Sequence, residues 1–412
     1  MENLKDFKKM YGNEPLTATT DYLSKTIASN YCNEYCFNEF VDNSIDARIG
    51  DNEVNVVINY DNDNHVLTIE DNGTGIKDFS CLMKLGGSIK TGDTSNKFIG
   101  KYGLGVKGAI SAIATHNRFN SNMISVVTFE SACNGKMGTK KIAFNNDGSA
   151  VIGLTNLSDC DNNIHYTKII FDNVIINNIS DIIDSMEETF ELPLLGYNNI
   201  KLNIQFNGRH LGHTGRRTFV GDESINTILV GEHKTDVIYR IIGGKTKVDR
   251  SFDEAGIRVY DKETGRLLGK SNDYWSWFAD KKAQQNICGV RLGMFIESNI
   301  KSYNKFGVRP EKSGIGYHKF FKQTDFKDLS NYLKNVYNQA VKTTPNIETC
   351  VQKVGSRIFQ PVTKTGSNSL YDMVGNMVYY KTKYKPNEII ELINENIILK
   401  NKLEKKNKKS VA

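Results

Sequence analysis

Polar and apolar positions along the first part of the chain predict a helix followed by a pair of strands. Residues 21–48 contain neither Pro nor Gly, which favours one long helix over the whole run. Residues 53–59 alternate between apolar and polar side chains, as a half-buried strand does. Residues 65–70 predict a second strand after a turn rich in Asp and Asn. The local pattern therefore changes from α to β early in the chain.

The rest of the chain continues this alternation, so we predict a mixed α/β protein. Predicted strands lie at residues 123–129, 140–144, 166–171, 200–206, 256–260, 266–268 and 289–296. Predicted helices lie at residues 107–114, 179–190, 327–341 and 386–409. The strand at 200–206, with the Asn-Gly turn that follows it, is expected to open a second α/β unit.

Composition narrows the class of protein without indicating an activity. The chain of 412 residues is 39% hydrophobic and 24% charged, which is typical of a soluble globular protein with more than one domain. No apolar run is long enough for a membrane span, and the first residues lack the apolar centre of a signal peptide. The seven cysteines form no Cys-x-x-Cys pair, which favours a reducing cytoplasmic or nuclear compartment. The net charge of +6 permits an anionic partner.

Three polar side chains share one face of the first predicted helix. Glu39 and Asn43 are one turn apart, and Asp46 lies three residues further on. This set suits the activation of a water molecule and the binding of a hard cation. Mg²⁺ retains several waters and takes one or two protein oxygens, so Asn43 is the predicted metal ligand. The alternative interpretation is a solvated polar face.

Two glycines follow Asp71 at the end of the second predicted strand. A carboxylate in this place would lie at the mouth of a pocket. Gly73 and Gly75 would let the backbone approach a flat ligand closely. The alternative is an ordinary Asp-Asn-Gly turn with no ligand.

A second glycine-rich segment precedes the helix predicted at residues 107–114. Gly100, Gly103 and Gly105 lead into that helix, and free N–H groups at a helix N-terminus favour a bound anion. The residues before them, which include Ser88, are rich in Gly, Ser and Thr, as a mobile lid would be.

The helix motif, the Asp71 motif and the second glycine-rich segment follow one another along the chain, and a strand that carries Thr167 comes after them. Together they resemble the GHKL ATPase superfamily. That group includes gyrase B subunits, heat-shock-ninety chaperones, histidine kinases, MutL and MORC proteins. The lid at residues 88–107 most resembles that of MORC proteins and related bacterial and viral ATPases. The resemblance is strong over residues 20–175 and looser over 180–340. It implies a Bergerat-fold ATP site, an α/β (α+β) sandwich in which helices and a lid cover one face of a sheet.

The resemblance also implies a role for each motif residue. Glu39 would be the general base for the attacking water, and Asn43 would bind Mg²⁺. Asp71 would accept a hydrogen bond from the adenine amino group, with Thr167 supporting it. ATP and Mg²⁺ are the expected cofactors. The other nucleotide-binding residues implied are Asp46, Gly73, Gly75, Ser88, Gly100, Tyr102, Gly103, Leu104, Gly105, Val106 and Lys107.

Beyond the ATP site, the resemblance implies a transducer domain from which a lysine reaches the terminal phosphate. The segment 306–315 fits such a loop, with Lys312 as the predicted catalytic lysine and Lys305 as the reserve. A solvated surface loop is the alternative. We therefore predict a Bergerat ATP-binding domain at residues 1–178 and a transducer-like domain at 179–342. The C-terminal extension at 343–412 ends in a Lys-rich helix, which is either a nucleic-acid contact or a solubilising tail.

The function implied is that of a Mg²⁺-dependent ATPase that dimerises on binding ATP. DNA handling or defence is the predicted setting, with a homodimer partner, DNA as a candidate partner and no membrane. Two alternatives remain open. One is a chaperone-like ATPase that acts on protein clients, and the other is a nucleotide-binding scaffold with little turnover.

Overall fold

The computed structural model describes most of the chain between residues 4 and 343. The described residues are 4–11, 28–82, 99, 105–145, 149–212, 226–246, 256–271, 287–309, 312, 314–315 and 324–343. The chain divides into two compact units. The first unit comprises Met1–Val220, Val259–Gly269 and Phe295–Gly316, and the second comprises Gly221–Arg258, Lys270–Met294 and Tyr317–Ala412. The division into three domains stays a prediction.

Helices and strands alternate along the described residues, which confirms the predicted α/β class. The α-helices are α1 (Leu4–Tyr11), α2 (Asn33–Asp46), α3 (Gly105–His116), α4 (Ile179–Thr189), α5 (Glu191–Leu194), α6 (Ile300–Phe306) and α7 (Lys327–Thr343). Single 3₁₀ turns occur at Ala28–Asn30, Phe79–Cys81, Tyr197–Asn199 and Thr324–Phe326. None of the helices in this part of the chain combines the length and apolarity that crossing a membrane requires. The helix predicted at 386–409 lies outside the described residues.

The strands of the first unit form one large sheet. They are β1 (Val54–Asp61), β2 (Val66–Asp71), β3 (Ser125–Cys133), β4 (Lys136–Phe144), β5 (Ala150–Ile152), β6 (Asn156–Asp159), β7 (Tyr166–Asp172), β8 (Leu202–Phe206) and β9 (Arg209–His210). Their order is β5-β4-β3-β7-β2-β1-β8-β9, with β6 paired to β4. The pairing is antiparallel except between β1 and β8.

A second sheet contains the strands that follow. They are β10 (Asn226–Val230), β11 (His233–Thr246), β12 (Gly256–Asp261), β13 (Leu267–Ser271) and β14 (Ile287–Ile296), in the order β10-β11-β14-β12-β13. In the second unit, α7 packs against β10 and β11.

The strand predicted at 200–206 was expected to open a second α/β unit, and this expectation is wrong. It is β8, which pairs in parallel with β1 from Val54↔Leu202 to Ile58↔Phe206. The alternating apolar residues of β8 face the same core as those of β1, so burial draws the strand into the first sheet. Local pattern could not show this, because a parallel pair forms between segments that are distant in sequence.

The core of the first unit lies between the large sheet and helices α2, α3 and α4. Phe37 and Phe40 of α2 are buried, and their rings contact Phe206 of β8 and Phe171 of β7, with ring centroids 6.0 and 5.9 Å apart. These helix and sheet side chains belong to one continuous hydrophobic cluster. Helix α2 also contacts α3 and α4, so it is enclosed on several sides.

The single helix predicted over residues 21–48 is wrong at its start. Helix α2 begins at Asn33, because Ala28–Asn30 forms a separate 3₁₀ turn closed by the bond from Tyr31 N to Ala28 O at 3.0 Å. Cys32 is extended, with φ −81° and ψ 171°. Burial of the Tyr31 side chain in the core accompanies this break. Residues 21–27 lie outside the described part of the chain.

The loop after β2 is held against the sheet by Gly75. This residue has φ +76°, and a Cβ added to it would lie 2.1 Å from the backbone oxygen of Ala132 in β3. Gly208, in the turn between β8 and β9, also has φ +76°, but nothing lies within 4 Å of its added Cβ. The two glycines thus share a left-handed backbone conformation, but only Gly75 has a neighbouring atom that an added Cβ would meet.

We predict that Gly75→Ala destabilises the protein much more than Gly208→Ala. The left-handed conformation alone costs about 1–2 kcal/mol for a residue with a Cβ, and this is the expected loss for Gly208→Ala. Gly75→Ala adds a backbone clash that only movement of the loop or of β3 can relieve. Denaturant unfolding of both variants measures the difference, and equal losses would show that the loop relaxes freely.

Candidate active site

Several polar side chains of helix α2 lie in a largely buried environment. Glu39, Asp42 and Asp46 are at most 6% exposed, and Asn43 is half-buried. A buried carboxylate is strongly destabilising unless it is paired or hydrogen-bonded. The partners of these side chains therefore define the site.

Two cations from distant segments pair with the carboxylates of α2. Lys312 Nζ lies 2.5 Å from Glu39 Oε1 and 2.8 Å from Asp42 Oδ2. Arg266 Nε donates to Asp42 Oδ1 at 2.6 Å and to Oδ2 at 2.9 Å. All four side chains are at most 3% exposed. We call Glu39, Asp42, Arg266 and Lys312 the buried charge cluster.

Burial and pairing act in opposite directions on the buried charge cluster. Burial raises the pKa of Glu39, while the Lys312 ammonium opposes that rise. Burial alone would lower the pKa of Lys312, but Asp42 and Glu39 outweigh it, so the pKa of Lys312 is raised and its ammonium form is favoured. The buried charge cluster therefore places Glu39, whose pKa is raised, beside Lys312, whose charged form is favoured.

Lys312 follows helix α6 in the chain and reaches α2. Helix α6 ends at Phe306 and is capped by Gly307, and Val308 and Ile315 form an isolated β-bridge after it. Lys312 N donates to Arg309 O at 2.8 Å, and Lys312 itself has φ 51°. Lys305, the reserve choice, lies half-buried on α6. The geometry brings Lys312 to Glu39.

The N-terminus of α3 lies against Glu39. A Cβ added to Gly105 would fall 1.8 Å from Glu39 Oε2, so only glycine lets the helix start this close to the carboxylate. Lys107 is buried in α3, and Val106 is half-buried. The other residues predicted from this segment, Ser88, Gly100, Tyr102, Gly103 and Leu104, lie outside the described residues.

Asp71 ends β2 as predicted, and its carboxylate is held from two sides. Gly73 N donates to Asp71 Oδ1 at 2.8 Å, and Ser44 Oγ donates to Oδ2 at 3.3 Å. Burial raises the pKa of Asp71 to about 6, although both hydrogen bonds act to lower it. Thr167 of β7 lies directly opposite Asp71 in the sheet.

Asn43 and Asp46 make hydrogen bonds of different kinds. Asn43 Nδ2 donates to the Glu39 backbone oxygen at 2.6 Å, and because that oxygen can only accept, the amide must point its nitrogen there. Its Oδ1 is thus the atom that is free to face a Mg²⁺ ion, and the role of Asn43 as a metal ligand stays a prediction. Asp46 Oδ1 accepts from Ile99 N at 2.7 Å, so Asp46 anchors the segment before the glycine-rich loop. Its contact with nucleotide stays a prediction.

No site for a metal ion held by protein groups alone is found in the described residues. Three or more His, Cys, Asp or Glu side chains nowhere converge there as ligands would. A single amide oxygen completed by water and phosphate remains compatible with this finding.

Sequence reasoning missed three residues of this site. Asp42 lies three residues after Glu39, so helical spacing could have placed it near the predicted base. Ser44, which holds Asp71, follows Asn43 directly, but no spacing rule links it to β2. Arg266 is 224 residues from its partner Asp42, and no local signal marks it.

The solved structures that match the chain have low sequence identity to it. The ATPase region of Saccharomyces cerevisiae topoisomerase II, bound to ICRF-187 (dexrazoxane), is 14% identical with a TM-score of 0.41, and the match covers 74% of this chain and 85% of that one. A second structure of the same yeast region is 14% identical with a TM-score of 0.38, and it covers 64% and 73%. No curated protein sequence matches the chain.

A family model matches one continuous part of the chain. The match spans residues 31–167, and the family is described as histidine kinase-, DNA gyrase B- and HSP90-like ATPase. That span runs from the approach to α2 to Thr167, so it includes Glu39, Asn43 and Asp71. It supports the resemblance to the GHKL superfamily, whereas the similarity to MORC proteins stays a prediction. Residues 31–167, which belong to the mixed α/β fold described above, are thus similar to a GHKL-type ATPase domain.

Proposed function

We propose that this protein binds ATP with Mg²⁺ and hydrolyses the terminal phosphate. One observation carries the proposal: the Lys312 ammonium lies 2.5 Å from the Glu39 carboxylate, at the point where α3 begins. A proton acceptor, a cation and a helix N-terminus in one buried place are what phosphoryl transfer to water requires. The family match over residues 31–167 supports the choice of nucleotide.

In the proposed reaction, Glu39 accepts a proton from a water molecule. The water oxygen forms a bond to the terminal phosphorus, and the bond between that phosphorus and the bridging oxygen of ADP breaks. Lys312 donates to the terminal phosphate and balances its charge. Asn43 Oδ1 would hold Mg²⁺, which when bound neutralises phosphate charge. Positioning and charge neutralisation supply most of the catalysis in such reactions.

We place adenine at the Asp71 end of the site. The Asp71 carboxylate would accept a hydrogen bond from the adenine amino group, and Gly73 lies against Asp71 and the end of α2 at Ala47. Thr167, which lies opposite Asp71 on the neighbouring strand, would support Asp71. A buried acceptor that is matched to one donor gives specificity, because a wrong base leaves it unpaired.

The finer role that we propose is an ATP-gated homodimer that acts in DNA handling or defence. Its support is the resemblance of the motifs to MORC proteins and topoisomerase subunits, together with the net charge of +6 and the Lys-rich end of the sequence. DNA binding that weakens steeply with salt would support this setting over action on protein clients. Measurable turnover would separate it from a passive scaffold.

We predict that Glu39→Gln binds ATP but hydrolyses it about 10²–10⁴-fold more slowly, because a general base typically contributes that factor. Asp42 still pairs with Lys312 in this variant, so the buried ammonium is not left alone. Glu34→Gln, in the first turn of the same helix, is the matched control. Steady-state turnover and nucleotide binding measure the effect. Near wild-type turnover in Glu39→Gln would remove Glu39 from the mechanism.

We predict that nucleotide affinity rises as the pH increases from 5 to 7, with a midpoint near the pKa of Asp71 at about 6. Before nucleotide binds, the carboxyl group of Asp71 is mostly protonated at low pH. The adenine amino group pairs best with the ionised form of Asp71. Binding therefore releases a proton below the midpoint and is weakened there.

Calorimetry of Asp71→Asn over the same pH range is the control for the titration of Asp71. The variant should bind more weakly at pH 7, since the amide can present a mismatched donor, and should lose the midpoint near 6. A pH profile that matches that of the wild type would show that Asp71 does not contact the ligand.

We predict that Lys312→Met keeps its affinity for ADP but loses the extra affinity for a non-hydrolysable ATP analogue. It should also lose the dimer that the analogue induces, because a ligand shifts an equilibrium only through a difference in affinity. Lys305→Met, from the same region of the chain, should behave as the wild type. Calorimetry and light scattering on both variants test this. A defect confined to Lys305→Met would show that the other lysine serves the phosphate.

A further inference from the structure

Arg266 is a fully buried cation that the proposed reaction does not use. It lies after the turn between β12 and β13, and its Nε donates to both oxygens of Asp42. Its Nη1 donates to Leu267 O at 2.8 Å. Charged side chains are rarely fully buried unless they are paired.

Asp42 is shared between two cations. Its Oδ2 accepts from Lys312 Nζ at 2.8 Å and from Arg266 Nε at 2.9 Å, whereas its Oδ1 accepts from Arg266 alone at 2.6 Å. The buried charge cluster thus contains two carboxylates and two cations. If Lys312 turns towards a phosphate, Asp42 still has the two bonds from Arg266.

We propose that Arg266 is a positioning residue that keeps Asp42 paired while Lys312 moves from the α2 carboxylates to the terminal phosphate of ATP. This inference rests on the function proposed above. Without Arg266, the transfer of Lys312 would leave Asp42 as an unpaired charge in the protein interior, which is strongly unfavourable. Lys312 would then stay on α2, and recognition of the terminal phosphate would be lost.

A different buried carboxylate, that of Asp261, connects the two segments that carry Arg266 and Lys312. Asp261 Oδ1 accepts from Thr264 N at 2.8 Å and from Thr264 Oγ1 at 2.7 Å, which shapes the turn before Arg266. Asp261 Oδ2 accepts from the hydroxyl groups of Ser298 and of Tyr303 in α6. Helix α6 leads directly into the loop of Lys312. Asp261 therefore ties the Arg266 turn to the helix that precedes Lys312.

The test compares nucleotide discrimination, which is the affinity for a non-hydrolysable ATP analogue divided by the affinity for ADP. Arg266→Met should lower this ratio at least about tenfold, since breaking one buried ion pair is a large effect, and should lower kcat while ADP affinity stays unchanged. Arg266→Lys keeps the charge and should recover part of the ratio. Arg209→Met, at an exposed arginine paired with Glu187, is the control and should match the wild type.

The double variant Asp42→Asn/Arg266→Met separates positioning from general damage. With no charge at residue 42, the departure of Lys312 leaves no unpaired charge at that residue, so the double variant should regain most of the discrimination. A general packing defect would persist or worsen in it. If circular dichroism shows that Arg266→Met does not fold, the double variant is decisive. A folded double variant with restored discrimination supports the proposal, and a folded double variant without discrimination overturns it.

Other outcomes are also decisive. Folded Arg266→Met with wild-type discrimination overturns the role of Arg266 and leaves the proposed function standing. Wild-type protein that binds neither nucleotide overturns the proposed function, and the role of Arg266 with it. The wild-type measurement therefore distinguishes the two failures.

Discussion

The carboxylate of Asp42 accepts hydrogen bonds from an arginine and a lysine that are 224 and 270 residues away in sequence. Taking a charge out of water costs several kcal/mol even in real proteins, so a buried carboxylate constrains everything around it. Helix α2 is covered by α3, α4 and the sheet, and the carboxylates of Glu39, Asp42 and Asp46 are buried there. The chain meets this constraint by bringing two later segments back to the first unit. In the first unit, Arg266 and Lys312 of these segments pair with the carboxylates of α2.

That constraint also bears on the function we propose. Glu39, the proposed base, is paired with the Lys312 ammonium, which opposes the rise in its pKa caused by burial. The proposed terminal phosphate competes with Glu39 and Asp42 for the same cation. Nucleotide state and the position of the Lys312 loop would then be linked by charge pairing, because ADP lacks the group that draws Lys312 away.

The proposed adenine end of the site depends on backbone geometry more than on charge pairing. Gly75 brings the loop after β2 within contact of β3, and Ser131 Oγ accepts from Ile76 N at 2.8 Å, which holds the loop there. Asp71 is fixed by Gly73 and Ser44. A rigid acceptor of this kind suits recognition of a flat ligand, since little ordering is left to occur on binding.

The amino-acid sequence by itself determined the features that nearby residues encode. Helical spacing placed Glu39 and Asn43 on one face, and alternation located β1, β2 and β7 within a few residues. Local pattern was misleading where distant segments decide the outcome. Helix α2 starts at Asn33, where Tyr31 enters the core, and β8 joins the first sheet through its pairing with β1. The buried charge cluster likewise exists only in the tertiary structure. A sequence records which residues are charged, but which cation meets which buried carboxylate depends on how the chain closes over hundreds of residues.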